Sequence, residues 1–184
     1  MSDMHERRYN GEIERLRVPQ RVTLFEIGRV VDLCLEGIHV NSVLDVGTGS
    51  GIFAEAFSKR DMNVTGIDPN PEMLKAAKEF VPMGTFLQGT VEGIPSEDKS
   101  FDLVFLGHVL HESDNLIKAL SESNRVAKQK VCVLEWPYKE EESGPPLKHR
   151  LKTEDILAAA KQVGFSSMET IQLQHMVLLM FAVR

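Results

Sequence analysis

The sequence predicts an α/β fold, with a mostly parallel β-sheet sandwiched between two layers of helices. Three features carry this prediction. Short apolar runs alternate with segments of helical spacing from Ser42 to Val163. A glycine-rich turn joins the first run directly to a helical segment. The last two strand-like segments have no helix between them, so they must form a hairpin and one late strand runs antiparallel.

Taken in order, residues 1–20 are polar and read as an N-terminal arm, leaving 21–184 as one domain. Ile27, Val30, Val31, Cys34 and Leu35 recur at helical spacing before Gly37, which predicts one helix over 21–36. Ser42–Val46 is a strand stopped by glycines. Ile52, Phe53, Ala56 and Phe57 mark the helix after it. Asn63–Ile67 is a second strand, halted by Asp68-Pro69, and Pro71 suits the first turn of a helix reaching about Lys78. Phe86–Leu87 belongs to a third strand. Phe101–Leu106 is a fourth, and its nearly unbroken apolar run predicts burial on both faces. Asp114–Val126 reads as a helix with Leu116, Ile117, Leu120 and Val126 inward, and Val131–Leu134 as a fifth strand. Residues 136–150, rich in Pro, Gly and charge, form a loop. Thr153 opens a last helix that Gly164 closes. Strands near 166–173 and 176–183 complete the chain.

Composition narrows the function. Lys and Arg number 21 against 27 Asp and Glu, a net charge of −6. That balance argues against a broad phosphate-binding face, so no nucleic-acid partner is expected. Cys34 and Cys132 lie in apolar segments and read as small buried hydrophobes. No CxxC pattern supports zinc or an iron–sulfur cluster, and no metal is expected. No apolar run resembles a signal peptide or a membrane span, so a cytoplasmic protein is expected.

The chemistry concentrates in Val43-Leu44-Asp45-Val46-Gly47-Thr48-Gly49-Ser50-Gly51. A buried strand that runs into a glycine turn and then a helix brings backbone close to a ligand with no Cβ in the way. The spacing is G-x-G-x-G; Ile52 stands where the third glycine of a dinucleotide-binding turn belongs, which disfavours a nicotinamide cofactor. Asp68 follows Gly47 by 21 residues, at the end of the second strand, where a carboxylate can accept from both hydroxyls of a ribose.

VLDVGTGSG, then GIDPNPEML, then GTVEGIPSEDKSFDLVF together resemble the class I, Rossmann-like methyltransferase superfamily that uses S-adenosylmethionine (SAM), in particular its small prokaryotic members. The resemblance implies a three-layer α/β/α sandwich with a seven-stranded sheet and an antiparallel strand at its C-terminal end. It implies SAM as cofactor and S-adenosylhomocysteine as product. Gly47, Thr48, Gly49 and Gly51 then line the methionine part, with Asp45 under the loop and Asp68 on the ribose. Pro69, Asn70 and Met73 lie near the adenine, as does the third motif, Gly89-Thr90-Val91-Glu92. Many relatives carry Asp where this chain has Thr90, on the adenine amino group. Gly107 and His108, after the fourth strand, flank the amino acid end of SAM and its methyl group.

His108, His111 and Glu135 are the candidate catalytic residues, a histidine at such a place being able to act as base near neutral pH. For the acceptor, Trp136 can stack and His149 and Arg150 can grip an anion, while Tyr9, Arg15 and Arg17 can close the arm over the cleft. The expected function is methyl transfer from SAM to a small-molecule acceptor, by a monomer or homodimer. A protein methyltransferase and a non-catalytic SAM-binding module are the alternatives.

Overall fold

β1 (Ser42–Val46) lies at the centre of the fold because every one of its apolar side chains finds a buried face. Val43 packs on one side of the sheet and Leu44 and Val46 on the other, all fully buried. In this computed structural model, which describes residues 16–141 and 143–184, β1 pairs in parallel with β2 (Asn63–Asp68) and with β4 (Phe101–Gly107). β3 (Thr85–Gln88) and β5 (Ala127–Glu135) extend the parallel sheet on either side. β7 (Val177–Ala182) is antiparallel to both β5 and β6 (Ser167–Gln172). The order is β3-β2-β1-β4-β5-β7-β6, seven strands with one reversed near the C-terminus, as the sequence led one to expect.

The central strands are buried on both faces. Leu103 and Phe105 of β4 join a core layer with Val30, Val31 and Phe57, while Val104 and Leu106 join the opposite layer with Leu120, Val126 and Ile156. Helices α2 (Ile27–Leu35) and α3 (Ile52–Ser58) cover the first face; α5 (Leu116–Val126) and α6 (Thr153–Val163) cover the second. α4 (Pro71–Phe80) packs beside β2 and β3. Asn70 caps it by accepting from the Glu72 N–H, with Pro71 at the first turn. No helix among the described residues is long and apolar enough to cross a membrane.

Three local readings need correction. The helix expected over 21–36 is two: α1 (Pro19–Leu24) and α2, broken where Glu26 turns left-handed at φ 48°. The break is fixed by the Glu26 carboxylate, which accepts from the Gln174 N–H and from Arg29. Ile117 faces outward, 39% exposed; Ala119 and Ser123 take the inward places with Leu120 and Val126. That helix starts at Leu116 because Asn115, not Asp114, caps it.

Strand order reverses between β2-β1 and β4, and in such sheets the crevice opens at the carboxyl ends of the strands on either side of that switch. Gly47, Asp68, Gly107 and Trp136, which end or directly follow β1, β2, β4 and β5, converge there on a single cleft of about 1000 Å³.

Candidate functional site

One half of the cleft is made by the glycine turn. Past Val46 the chain turns through Gly47 (φ 70°) and Gly49 (φ 51°) into α3. Gly47 cannot carry a side chain, since a Cβ there would sit 2.6 Å from a methyl of Val109. The Gly47 and Thr48 N–H groups both donate to the Ile67 carbonyl at 2.9 Å, and the Gly51 N–H donates to the Thr48 carbonyl. The Gly49 N–H donates to Asp68 Oδ2 at 3.0 Å, and the Asn70 N–H to Asp68 Oδ1 at 2.9 Å. These four turn N–H groups are thus engaged within the protein, whereas a phosphate cradle needs such groups free. The turn is shaped to lie against a ligand, not to grip a phosphate.

Two carboxylates support it. Asp45 is buried under the turn and accepts from the Thr48 hydroxyl at 2.7 Å. Burial pushes it up to about 7, against the pull of that hydroxyl. Asp68 is also raised by burial, opposed by its N–H donors, and it faces the cleft. The Ser50 hydroxyl, on the same wall, is buried with no partner. Pro69, Asn70, Met73, Thr90, Val91 and Glu92 continue this wall, Glu92 held by the Asn115 N–H at 2.7 Å. Gly51 and Gly89 stand behind it, against Ala77 and Pro95.

The other half is aromatic. Gly107 ends β4, and His108 follows in the left-handed region at φ 58°, a strained conformation for a residue with a side chain. Its ring lies 4.3 Å from that of Phe25 and 5.4 Å from that of Trp136, centre to centre, with Nε2 3.4 Å from Met176 Sδ. Phe25 and Trp136 meet edge to face at 5.8 Å. Burial pushes His108 down to about 4, so it is neutral at physiological pH. It is a wall, and its ring nitrogen is turned to sulfur.

His111 is different. It is buried, its Nδ1 lies 2.9 Å from Glu135 Oε2, and its own N–H donates to Glu135 Oε1. Burial disfavours the imidazolium, but the Glu135 carboxylate outweighs it and raises His111 above the ordinary histidine value. Burial likewise opposes ionisation of Glu135, and His111 overcomes it, holding the carboxyl low. His111 lines the cleft; Glu135 stands behind it. The arrangement is a histidine oriented by a buried carboxylate, the geometry of a general base and its positioning group.

The loop after β5 closes this half. Arg150 is buried and donates to the carbonyls of Pro137, Lys139, Ser143 and Pro145 and to the Glu141 carboxylate. Its guanidinium is occupied in shaping the loop and is off the cleft wall, so it does not grip an acceptor as expected. His149 does line the cleft. Gly144, at φ 90°, lies flat on the Trp136 ring, where a Cβ would come within 2.7 Å.

Of the arm, Tyr9 and Arg15 lie outside the described residues. Arg17 donates to the Ser50 carbonyl at 2.8 Å, pairs with Glu55 and lies over the Phe80 ring, bringing Leu16 and Val18 to the cleft edge. Phe25, Met176 and Gly144 were not legible as site residues. Phe25 lines the cleft as the cap of α1, just before the break at Glu26, and no residue pattern announces that break.

The fold is a Rossmann-like α/β sandwich whose cleft opens at the switch in strand order. A methyltransferase-domain family model matches residues 44–133. A demethylmenaquinone methyltransferase of Chlorobaculum tepidum is 37% identical over 99 residues, 53% of this chain and 41% of that protein. A SAM-dependent methyltransferase from Aquifex aeolicus superposes with a TM-score of 0.82 over 94% of this chain and 97% of its own, at 24% identity, a likeness of fold. The YcgJ protein from Bacillus subtilis gives a TM-score of 0.67 over 79% of this chain and 70% of its own, at 25% identity. Over residues 44–133, just under half of its length, the chain is similar to that methyltransferase-domain family, and its fold is that of the Aquifex protein. It spans less than half the length of the curated relatives it matches.

Proposed function

We propose that the protein transfers a methyl group from SAM to a small-molecule acceptor. The observation that carries this is the glycine turn, whose N–H groups are engaged internally while Asp68 faces the cleft. Such a site suits a ribose and a cationic sulfonium better than a pyrophosphate. The name of the Chlorobaculum relative, a demethylmenaquinone methyltransferase, supports a small acceptor.

The bound cofactor supplies an activated methyl group on a positively charged sulfur, so the protein has mainly to align the acceptor and exclude water. Asp68 accepts from the ribose hydroxyls; Gly47, Thr48 and Gly49 lie against the methionine part over Asp45. Pro69, Asn70, Met73 and the Thr90–Glu92 segment border the adenine, and Gly107 and His108 border the methyl group. Gly51 and Gly89 shape these loops from behind. His111 takes the acceptor proton, Glu135 positions it, and Trp136 and His149 contact the acceptor. Arg17 anchors the end of the arm over the turn. The setting is cytoplasmic and the partner a small molecule, not nucleic acid, in keeping with the net charge of −6. The protein works as a monomer or homodimer.

Calorimetric titration with SAM and S-adenosylhomocysteine tests the reading, with NAD as control. Micromolar binding of both adenosyl compounds, and none of NAD, is expected. Binding of NAD alone would overturn it.

A further inference from the structure

Two distant parts of the chain meet at the His108 ring. One is the corner between α1 and α2, where Phe25 lies 4.3 Å from His108, ring centre to ring centre. The other is the turn between β6 and β7, where Met176 Sδ lies 3.4 Å from His108 Nε2. His108 is itself held at φ 58°, a conformation that a residue with a side chain keeps only where its surroundings over-determine it.

One carboxylate ties these two parts together. Glu26 Oε1 accepts from the Gln174 N–H at 2.7 Å, and Oε2 accepts from Arg29 at 2.7 Å. The Gln174 N–H holds the Glu26 carboxyl below its ordinary range against the pull of burial, with help from Arg29 and His175. On the corner side, the Glu26 carbonyl accepts from the Val30 N–H and so starts α2. On the turn side, the Leu173 N–H donates to the Met176 carbonyl at 2.9 Å, and Gln172 Nε2 donates to the carbonyls of Leu173 and Met176. The turn is thus closed on itself and is held to the corner through Gln174. A corner of this shape, at φ 48°, would be served best by glycine if backbone alone mattered. Glutamate stands there in strain, which points to its side chain.

We infer that Glu26 is a positioning residue for the acceptor end of the cleft: its carboxylate clasps the α1–α2 corner to the β6–β7 turn and so fixes the His108 ring between Phe25 and Met176. The inference rests on the methyltransferase reading, in which His108 borders the transferred methyl group. With the clasp closed, that wall is in place before either ligand arrives, as alignment and exclusion of water require. Without it, corner and turn can part and water reaches the ring.

The NMR titration of the His108 ring reads the clasp. Burial dominates that titration and lowers it; Glu135 raises it, and His111 and Arg21 lower it further. Loss of a nearby carboxylate would lower it again, whereas admitting water raises it, so the sign separates a direct effect of charge from release of the clasp. We expect His108 to stay neutral down to about pH 4 in the wild-type protein. In Glu26→Gly, which suits the left-handed backbone and lacks the carboxylate, the midpoint should rise by about one pH unit or more toward the ordinary histidine value. Glu26→Gln still offers an oxygen to the Gln174 N–H and should titrate as wild type. Trp136, the chain's one tryptophan, meets Phe25 edge to face, and its emission should move to longer wavelength in Glu26→Gly alone. Calorimetric affinity for S-adenosylhomocysteine should be alike in all three proteins and serves as the folding control.

An unchanged His108 titration in Glu26→Gly, with S-adenosylhomocysteine bound normally, would overturn the clasp and leave the methyltransferase reading standing. A lowered titration would also overturn it, making Glu26 a neighbouring charge and nothing more. A rise in Glu26→Gln equal to that in Glu26→Gly would overturn the role of the Gln174 bond. Failure of the wild-type protein to bind S-adenosylhomocysteine would bring down the methyltransferase reading, and with it the role of this wall in methyl transfer.

Discussion

The two halves of the cleft are built in opposite ways. The half assigned to the cofactor comes mainly from two short stretches, residues 45–51 and 68–73, joined by hydrogen bonds between a turn and the end of the next strand. The half assigned to the acceptor is assembled from Phe25, His108, His111, Glu135, Trp136 and Gly144, which are scattered along the chain and meet through ring packing and one buried ion pair. The first is a backbone site, insensitive to most side-chain changes but intolerant of a Cβ at Gly47. The second is a side-chain site, in which a single substitution can change what is accepted. Damage to one half should therefore leave the other half's ligand largely unaffected.

The largest separation is expected from His111→Gln. Loss of a positioned base costs about 10²–10⁴-fold in rate, so kcat should fall by at least a hundredfold while S-adenosylhomocysteine affinity, read by calorimetry, stays within about twofold. A parallel loss of cofactor affinity would show that the halves are not independent. Asp68→Ala is the converse. It removes the proposed ribose acceptor and the carboxylate that fixes the part-buried Gly49 N–H and the exposed Asn70 N–H beside it. Cofactor affinity should drop at least tenfold, about 1.4 kcal/mol, with kcat at saturating SAM and acceptor KM little changed.

The His111–Glu135 pair predicts a pH signature confined to the acceptor half. A general base must be neutral, and Glu135 raises His111, so the acid limb of kcat/KM lies above the ordinary histidine range. Glu135→Gln removes the cause of that rise and leaves burial, which acts the other way; the limb should move to lower pH. The effect on stability has the matching sign. The contribution of His111 is present in full below its unfolded value and is lost as pH rises through its raised folded value. That of Glu135 is present above the ordinary carboxyl range and is lost as pH falls through its lowered one. A limb that stays in place in Glu135→Gln would remove the carboxylate from the mechanism.

The contrast between the halves also explains what the sequence revealed. The inner strands β1, β4, β5 and β7 were legible because each contains an apolar run, while the edge strands β3 and β6 are mostly polar and exposed. The turn at Gly47, Thr48 and Gly49 was legible because local backbone geometry demands glycine at fixed spacing. Asp68 was legible because the register of β1 on β2 fixes its distance from the turn. The acceptor half obeys no such spacing. Phe25 sits in a stretch whose periodicity reads as continuous helix, and its turn into the cleft depends on a bond between Glu26 and the Gln174 N–H, almost the whole chain away. Arg150 looked like an anion-gripping residue because a lone Arg in a loop reads as solvent-facing; the carbonyls that occupy it are made available only by the fold of that loop.

Gly144→Ala probes how finely the acceptor half is fitted. The new methyl would press on the Trp136 ring at a φ of 90°, where side chains are strained, and local strain of this kind costs about 1–3 kcal/mol. Acceptor KM should rise severalfold with cofactor affinity unchanged, and the Trp136 emission should shift. The smallest effect is expected in the cofactor half, at Thr90. Thr90 lines the cleft, and its carbonyl is held by the Gly93 N–H, so the segment's backbone does not depend on its side chain. Thr90→Asp offers a charged acceptor where a hydroxyl now stands, a difference of about 1 kcal/mol between a charge-assisted and a neutral hydrogen bond. Calorimetry should show SAM binding tighter by up to about fivefold, with acceptor KM unmoved. If Thr90→Asp instead weakened SAM while leaving the fold intact, the adenine would lie elsewhere, and the division of the cleft drawn here would have to move with it.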